Sequence, residues 1–192
     1  RNLQREDTTF GIFSAELNNG EWINLNQFSF NRHDCNTGYP YLSDDGTQLY
    51  YCSDAPGGYG GYDIYVSQLD KGRWGQPENL GAHVNSSKNE VFPFLHQSGR
   101  LYFASRGHNQ RNDLDIYYTV NIDGIWQKPV PLNEPFNTVN DDYGLIMNAA
   151  SDTGYFVSDR EGSPDIFSAY STLPTFTNSV AQKENDYCYV FY

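Results

Sequence analysis

Methionine occurs once in the 192 residues, cysteine three times and histidine four times, and no apolar run approaches the roughly eighteen residues needed to span a bilayer. The cysteines, Cys35, Cys52 and Cys188, are an odd set without metal-ligand spacing, so they define no disulfide framework; Cys35 and Cys188 remain candidate partners for each other. Positive charge is also scarce. Twelve Lys and Arg face 24 Asp and Glu, a formal net charge of −12, and no basic stripe with interleaved aromatics offsets the repulsion from a phosphate backbone. Nucleic acid is therefore excluded as a ligand. No Gly-x-Ser-x-Gly elbow supplies a hydrolase nucleophile, and His33, His83, His96 and His108 have neither a His-Glu-x-x-His arrangement nor cysteines at zinc spacing. Asp44-Asp45 and Asn140-Asp141-Asp142 lack the alternate-position ligands of a calcium loop and read as solvated turns. The chain opens at Arg1 without a signal segment, as expected of a removed leader or of an internal piece of a longer protein.

Aromatic residues are abundant, with 16 Tyr and 12 Phe, which favours strands over helices. The strongest signal is a repeat. Gly20-Glu21-Trp22 returns as Gly72-Arg73-Trp74 and Gly124-Ile125-Trp126, so the tryptophans fall 52 residues apart twice. Asp63-Ile64-Tyr65 returns as Asp115-Ile116-Tyr117 and Asp165-Ile166-Phe167, at offsets of 52 and 50.

The first complete copy runs from Tyr39 to Asn89. Tyr39-Pro40-Tyr41-Leu42 leads to a turn at Ser43-Asp44-Asp45-Gly46 and the apolar run Leu49-Tyr50-Tyr51-Cys52. A Gly-rich loop, Asp63 to Val66, and a turn at Asp70-Lys71-Gly72 before Trp74 complete it. Asp-Gly between apolar runs is a hairpin signal, so the copy reads as four short strands. The second copy keeps this order through Phe92-Pro93-Phe94-Leu95, Leu101 to Ser105, Asp115-Ile116-Tyr117 and Trp126. The third supplies Tyr143 to Met147, Tyr155 to Ser158 and Asp165-Ile166-Phe167, with no Gly-x-Trp strand after it. The N-terminal 38 residues match only a third and a fourth strand, at Gly11-Ile12-Phe13 and Trp22.

Tyr50-Tyr51-Cys52, Tyr102-Phe103-Ala104 and Tyr155-Phe156-Val157 are apolar at every position, which predicts second strands covered on both faces. Stacked four-stranded units of this kind are the blades of a β-propeller; a flat solenoid of β units is the alternative. The expected fold is thus all-β, a propeller of four-stranded antiparallel blades, with residues 1–171 as blades and 172–192 as a linker and the first strand of a following β domain. The thirteen visible strands fall three short of four complete blades, so the chain is expected to be an incomplete propeller.

The order Pro-x-Leu-Ser-x-Asp-Gly, Leu-Tyr-x-x-Ser, Asp-Ile-Tyr-Val and Gly-x-Trp-x-x-Pro-x-Asn-Leu-Gly resembles the WD40-like, TolB-type propeller repeat. Pro40 to Gly46, Leu49 to Ser53, Asp63 to Val66 and Gly72 to Gly81 carry it, with Asn85 and Glu90 at the usual ending. The resemblance implies a cell-envelope protein of Gram-negative bacteria, periplasmic or associated with the outer membrane, of the OmpA-family multidomain type found in Bacteroidetes and linked to type IX secretion. It implies other envelope proteins as partners, no membrane span of its own, and contact with peptidoglycan only through a separate domain. No cofactor is implied.

Ser53, Asp63, Trp74, Ser105, Asp115, Trp126, Ser158 and Asp165 recur once per copy, as fold requirements do. Each aspartate is expected to accept backbone N–H groups from the loop before its strand, and each tryptophan to pack between blades. Cys52 aligns with Ala104 and Val157 and reads as a small buried hydrophobe. The variable loops at one point of the repeat offer Tyr59, Arg106, Arg111 and Arg160 as partner contacts. The expected function is a non-catalytic interaction scaffold; the alternative is a propeller that binds glycan through exposed aromatics or hydrolyses it with two carboxylates.

Overall fold

Sixteen short β elements carry all of the regular structure in the computed structural model, which describes residues 9–148, 153–171 and 188–191; no helix occurs among them. The elements form an N-terminal hairpin and three antiparallel sheets. The hairpin joins β1 (Phe13–Asn18) to β2 (Glu21–Gln27). The first sheet orders β3 (Thr37–Leu42), β4 (Gln48–Ser53) and β5 (Asp63–Asp70), followed by β6 (Arg73–Trp74) and β7 (Glu78–Asn79), which both pair with β5. The second repeats this with β8 (Glu90–Leu95), β9 (Arg100–Ser105), β10 (Asp115–Ile122), β11 (Ile125–Trp126) and β12 (Val130–Pro131). The third comprises β13 (Asp142–Met147), β14 (Thr153–Ser158), β15 (Asp165–Ser171) and β16 (Cys188–Phe191).

Turn chemistry sets the registers. Asn19-Gly20, Lys71-Gly72 and Asp123-Gly124 are two-residue connections with both φ angles positive, and they place Trp22 opposite Leu17, Trp74 opposite Leu69 and Trp126 opposite Asn121. The mirror-image turn geometry matches the twist of the flanking strands and favours Asn, Asp and Gly. The tryptophan spacing is thus the spacing of equivalent hairpins.

The sequence suggested one continuous fourth strand per copy. Instead the fourth strand is broken in two, because the chain leaves the ladder after Trp74 and after Trp126. Gly75 N still donates to Gln68 O at 2.8 Å, and Gln127 N to Val120 O at 3.0 Å. Pro77 and Pro129 then follow, and a residue without N–H cannot extend the ladder. In the third copy β16 occupies the fourth position, with Ala169 opposite Val190 and Tyr170 opposite Tyr189. The segment expected to open a following domain thus supplies a strand that pairs with β15. Its side chains, and with them any pairing of Cys188, lie outside the described residues; Cys35 is a buried free thiol.

Each first strand carries a bulge, between Gly38 and Tyr41, Val91 and Phe94, and Tyr143 and Ile146. The extra residue has a left-handed backbone in all three copies, at Tyr39 (φ 52°), Phe92 (φ 56°) and Gly144 (φ 68°). Bulges of this kind re-aim a side chain. Two of the three positions hold an aromatic ring where glycine would be unstrained.

Apolar cores fill the spaces between sheets. Tyr50, Cys52, Ile64 and Val66 of the first sheet pack with Val91, Leu101, Phe103 and Tyr117 of the second. Phe94, Tyr102 and Ile116 pack with Leu145, Phe156 and Phe167 of the third. Ile12 of the N-terminal segment joins Leu49 and Tyr51 in a third cluster. β4 and β9 are buried on both faces, as their unbroken apolar runs require, whereas β14 alternates, with Phe156 buried and Tyr155 exposed. Cys52 is fully enclosed, and burial pushes its thiol well above the ordinary range.

One side chain per unit fastens the third strand to the linker that follows it. Asn85 Oδ1 accepts from Ile64 N at 2.8 Å while its Nδ2 donates to Ile64 O at 3.0 Å. Asn137 makes the same pair with Ile116 at 2.7 and 2.9 Å, and Asn31 with Ile12 at 2.9 and 2.7 Å. A carboxamide carries its acceptor and its donor on separate atoms, so it can serve the N–H and the C=O of one residue at once.

Candidate functional site

The loops between second and third strands, the starts of the first strands and the inter-sheet linkers meet at one edge of the sheets. Ser53, Ser105 and Ser158 end the second strands there, and each hydroxyl accepts the backbone N–H two residues on, from Ala55 (3.2 Å), Gly107 (2.9 Å) and Arg160 (3.3 Å). These contacts start the loops in the same direction.

The recurring aspartates do graded versions of one task. Buried Asp63 accepts Tyr59 N at 2.6 Å, Gly60 N at 3.2 Å and Asn79 Nδ2 at 2.8 Å. Asp115 is held by side chains instead, with Asn109 Nδ2 at 2.7 Å and Arg111 Nη2 at 3.1 Å, and desolvation raises its carboxyl above the ordinary value. Asp165 is exposed and accepts from Ser163 Oγ at 3.2 Å. The shift from backbone to side-chain donors follows the loss of the glycine-rich loop. A Cβ at Gly58 would strike the Asp63 carboxylate, and one at Gly60 the Ser86 and Lys88 carbonyls, so these glycines serve close packing.

The three arginines offered as partner contacts are all bonded to other residues of the chain, though Arg111 stays half exposed. Arg160 is largely enclosed; it reaches Ser158 Oγ, Pro135 O, Phe136 O and the fully buried Asp142, and its guanidinium lies over Phe156 and Phe167. Arg106 bridges the second and third sheets through Asp141, with a further bond to Asn112 O at 2.8 Å. Arg111 joins Asp113, Asp115 and Thr138 O, and the Asp113 bond holds its guanidinium more firmly protonated. Tyr59 alone of the four presents an exposed ring. Trp74 packs beside Phe28, and Trp126 meets Tyr50 edge-on with centroids 6.3 Å apart.

The acidic turns are filled by their own chain. Asp45 Oδ1 accepts from Ser43 Oγ, Thr47 N and Thr47 Oγ1, which holds its carboxyl low. Asp142 takes Thr138 N and Oγ1 besides Arg160, and buried Glu90 takes Ser86 N, Ser86 Oγ and Ser105 Oγ. Among the described residues, no three His, Cys, Asp or Glu side chains gather as metal ligands. His83 and His108 bond the carbonyls of Trp126 and Val84.

The feature missed from the sequence is a row of rings crossing all three sheets at this edge. Tyr62 meets Tyr39 edge-on at 5.9 Å, Tyr39 meets Phe92 at 4.6 Å, and Phe92 stacks on Tyr143 at 5.1 Å. Tyr39 and Phe92 are the left-handed bulge residues, so the bulge aims these rings into the row. Carboxylates flank it. Tyr62 has its phenol raised by burial and then by Asp54, and Tyr143 by burial and then by Asp141 and Asp159. The available signal was the aromatic-Pro pair shared by Tyr39-Pro40 and Phe92-Pro93. Ring faces beside carboxylates attract cations and amphipathic side chains.

No family model matches the chain, and neither does any curated protein. A solved structure described as a Mycobacterium tuberculosis puromycin-hydrolyzing peptidase aligns over 82% of this chain and 23% of its own, with 15% identity and a TM-score of 0.48. The chain spans under a quarter of that peptidase, and so distant a likeness carries no activity over to it.

Proposed function

We propose that the chain is a non-catalytic interaction scaffold, its three sheets being blades of an incomplete TolB-type β-propeller within a multidomain cell-envelope protein. One observation carries the reading: the ring row from Tyr62 to Tyr143, with Asp54 and Asp159 beside its outer rings, mounted on strands whose backbones are fastened by Asn and Ser clamps. A rigid, partly exposed aromatic surface gives contact area at low cost in side-chain entropy. The carboxylates and the net charge of −12 suit a partner presenting Lys or Arg. The partner class is another envelope protein, periplasmic or at the outer membrane; peptidoglycan contact belongs to a separate domain, and type IX secretion is the system in which the scaffold would serve.

The same rings support a second reading, stacking on sugar faces, so one experiment addresses both. Tagged chain and a Tyr39→Ala variant are crosslinked in envelope extract at low and high salt, and the same samples are screened against glycans. The scaffold reading expects a reproducible protein partner that Tyr39→Ala weakens about tenfold and that salt weakens further. Glycan binding or turnover with no protein partner overturns it.

A further inference from the structure

Ile12, Ile64, Ile116 and Ile166 occupy one position of the repeat. The first three are 6%, 0% and 1% exposed, because the next sheet covers each of them, whereas Ile166 is 76% exposed. Its neighbours behave alike. Tyr155 stands where Tyr50 and Tyr102 are buried, yet is 49% exposed, and Ile146, where Phe94 is buried, is open as well. The third sheet thus presents, uncovered, the face that the first and second sheets bury against a following sheet.

The N-terminal hairpin presents the reverse. Phe13 takes the position of Tyr117 and Phe167, which are buried against the preceding sheet, and is 53% exposed; Trp22 takes the position of Trp74 and Trp126 and is 72% exposed. Inside the chain, Trp126 of the second sheet lies on Tyr50 of the first. The two open ends are therefore the two halves of a contact that the chain already makes between its own sheets.

We propose that the protein associates head to tail, the face bearing Ile146, Tyr155 and Ile166 on one copy receiving Phe13 and Trp22 of a second copy. The join would place Trp22 against Tyr155 as Trp126 sits against Tyr50. It is heterologous: each copy contributes a different surface, and the association closes as a ring or continues according to the rotation per copy. Each copy carries a net charge of −12, so added salt strengthens this apolar join by screening the repulsion. Binding at the carboxylate-rimmed ring row would respond to salt in the opposite direction.

The test is sedimentation velocity of the 192-residue chain over about two orders of magnitude in concentration, with Trp22→Ala and Ile166→Glu variants. Both substitutions replace exposed side chains, and far-UV circular dichroism reports whether the sheets persist. Wild type should self-associate more strongly in salt, and each variant should associate at least about tenfold more weakly. An equimolar mixture of the two should recover a dimer, since each keeps the half that the other has lost. Phe13→Asn with Tyr155→Asn repeats the test if either first variant misfolds. A monomeric wild type at every concentration, or a mixture no more associated than its components, overturns the proposal.

Discussion

Asn85→Ala is the sharpest test of the clamp. The carboxamide satisfies both backbone groups of Ile64, a residue fully enclosed in the core, and also donates to Asn79 Oδ1 at 2.8 Å. Alanine leaves the Ile64 N–H inside without a partner, at a cost of about 1–3 kcal/mol, whereas the Ile64 C=O keeps the N–H of Leu80 at 3.1 Å. The loss is about 1–3 kcal/mol, out of the 5–15 kcal/mol or so that holds a typical domain together. Urea unfolding measures the loss, and amide exchange at Ile64 shows where it falls, which matters in a stack of repeats whose unfolding need not be all-or-none. Asn85→Asp should rescue little, because a carboxylate accepts from Ile64 N but repels Ile64 O. A loss below about 1 kcal/mol with unchanged exchange at Ile64 would refute the clamp.

Three further expectations follow from the geometry. Arg160→Met strands the fully buried Asp142 without its guanidinium and should cost about 3–5 kcal/mol, read as a lowered thermal midpoint; an unchanged midpoint would mean that the pair is unimportant. Lys71 holds φ 47° in a turn where the equivalent residues are Asn19 and Asp123, so Lys71→Asn should stabilise by about 0.5–1 kcal/mol, and destabilisation would contradict the turn assignment. Burial pushes the Tyr50 and Tyr117 phenols up from 10.0 to about 12, and a raised folded-state value means stability present below about pH 10 and lost as pH climbs toward 12. Absorbance at the phenolate band should therefore rise in two stages, the second accompanied by unfolding; a single stage near pH 10 with the sheets intact would sink that reasoning.

The repeat period, the hairpins and the doubly covered strands were legible because turn chemistry and apolar runs are local signals. Gly20, Gly72 and Gly124 fixed the tryptophan registers directly. The broken fourth strand was legible too, since Pro77 and Pro129 stand in the sequence, but the strength of the Gly-x-Trp motif masked their effect. Tertiary pairing decided the rest. Nothing near Arg160 in the chain announces that its partners are Asp142, Pro135 and Phe136, so a charged residue in a variable loop looked like a surface contact. Tyr39 and Phe92 looked like ordinary strand residues because a bulge is visible only once the register is known. Asn31, Asn85 and Asn137 were within reach, being spaced like the rest of the repeat.

The asparagine clamps also bear on how the protein is made. Each lies 19 to 21 residues downstream of the strand it fastens, in the segment that leads into the next unit. On a ribosome, the Ile64 N–H stays open until the linker carrying Asn85 has left the exit tunnel, and that of Ile116 waits for Asn137. Completion of each unit is thereby tied to translation of the next, and the structure is locked in order from its N-terminal side.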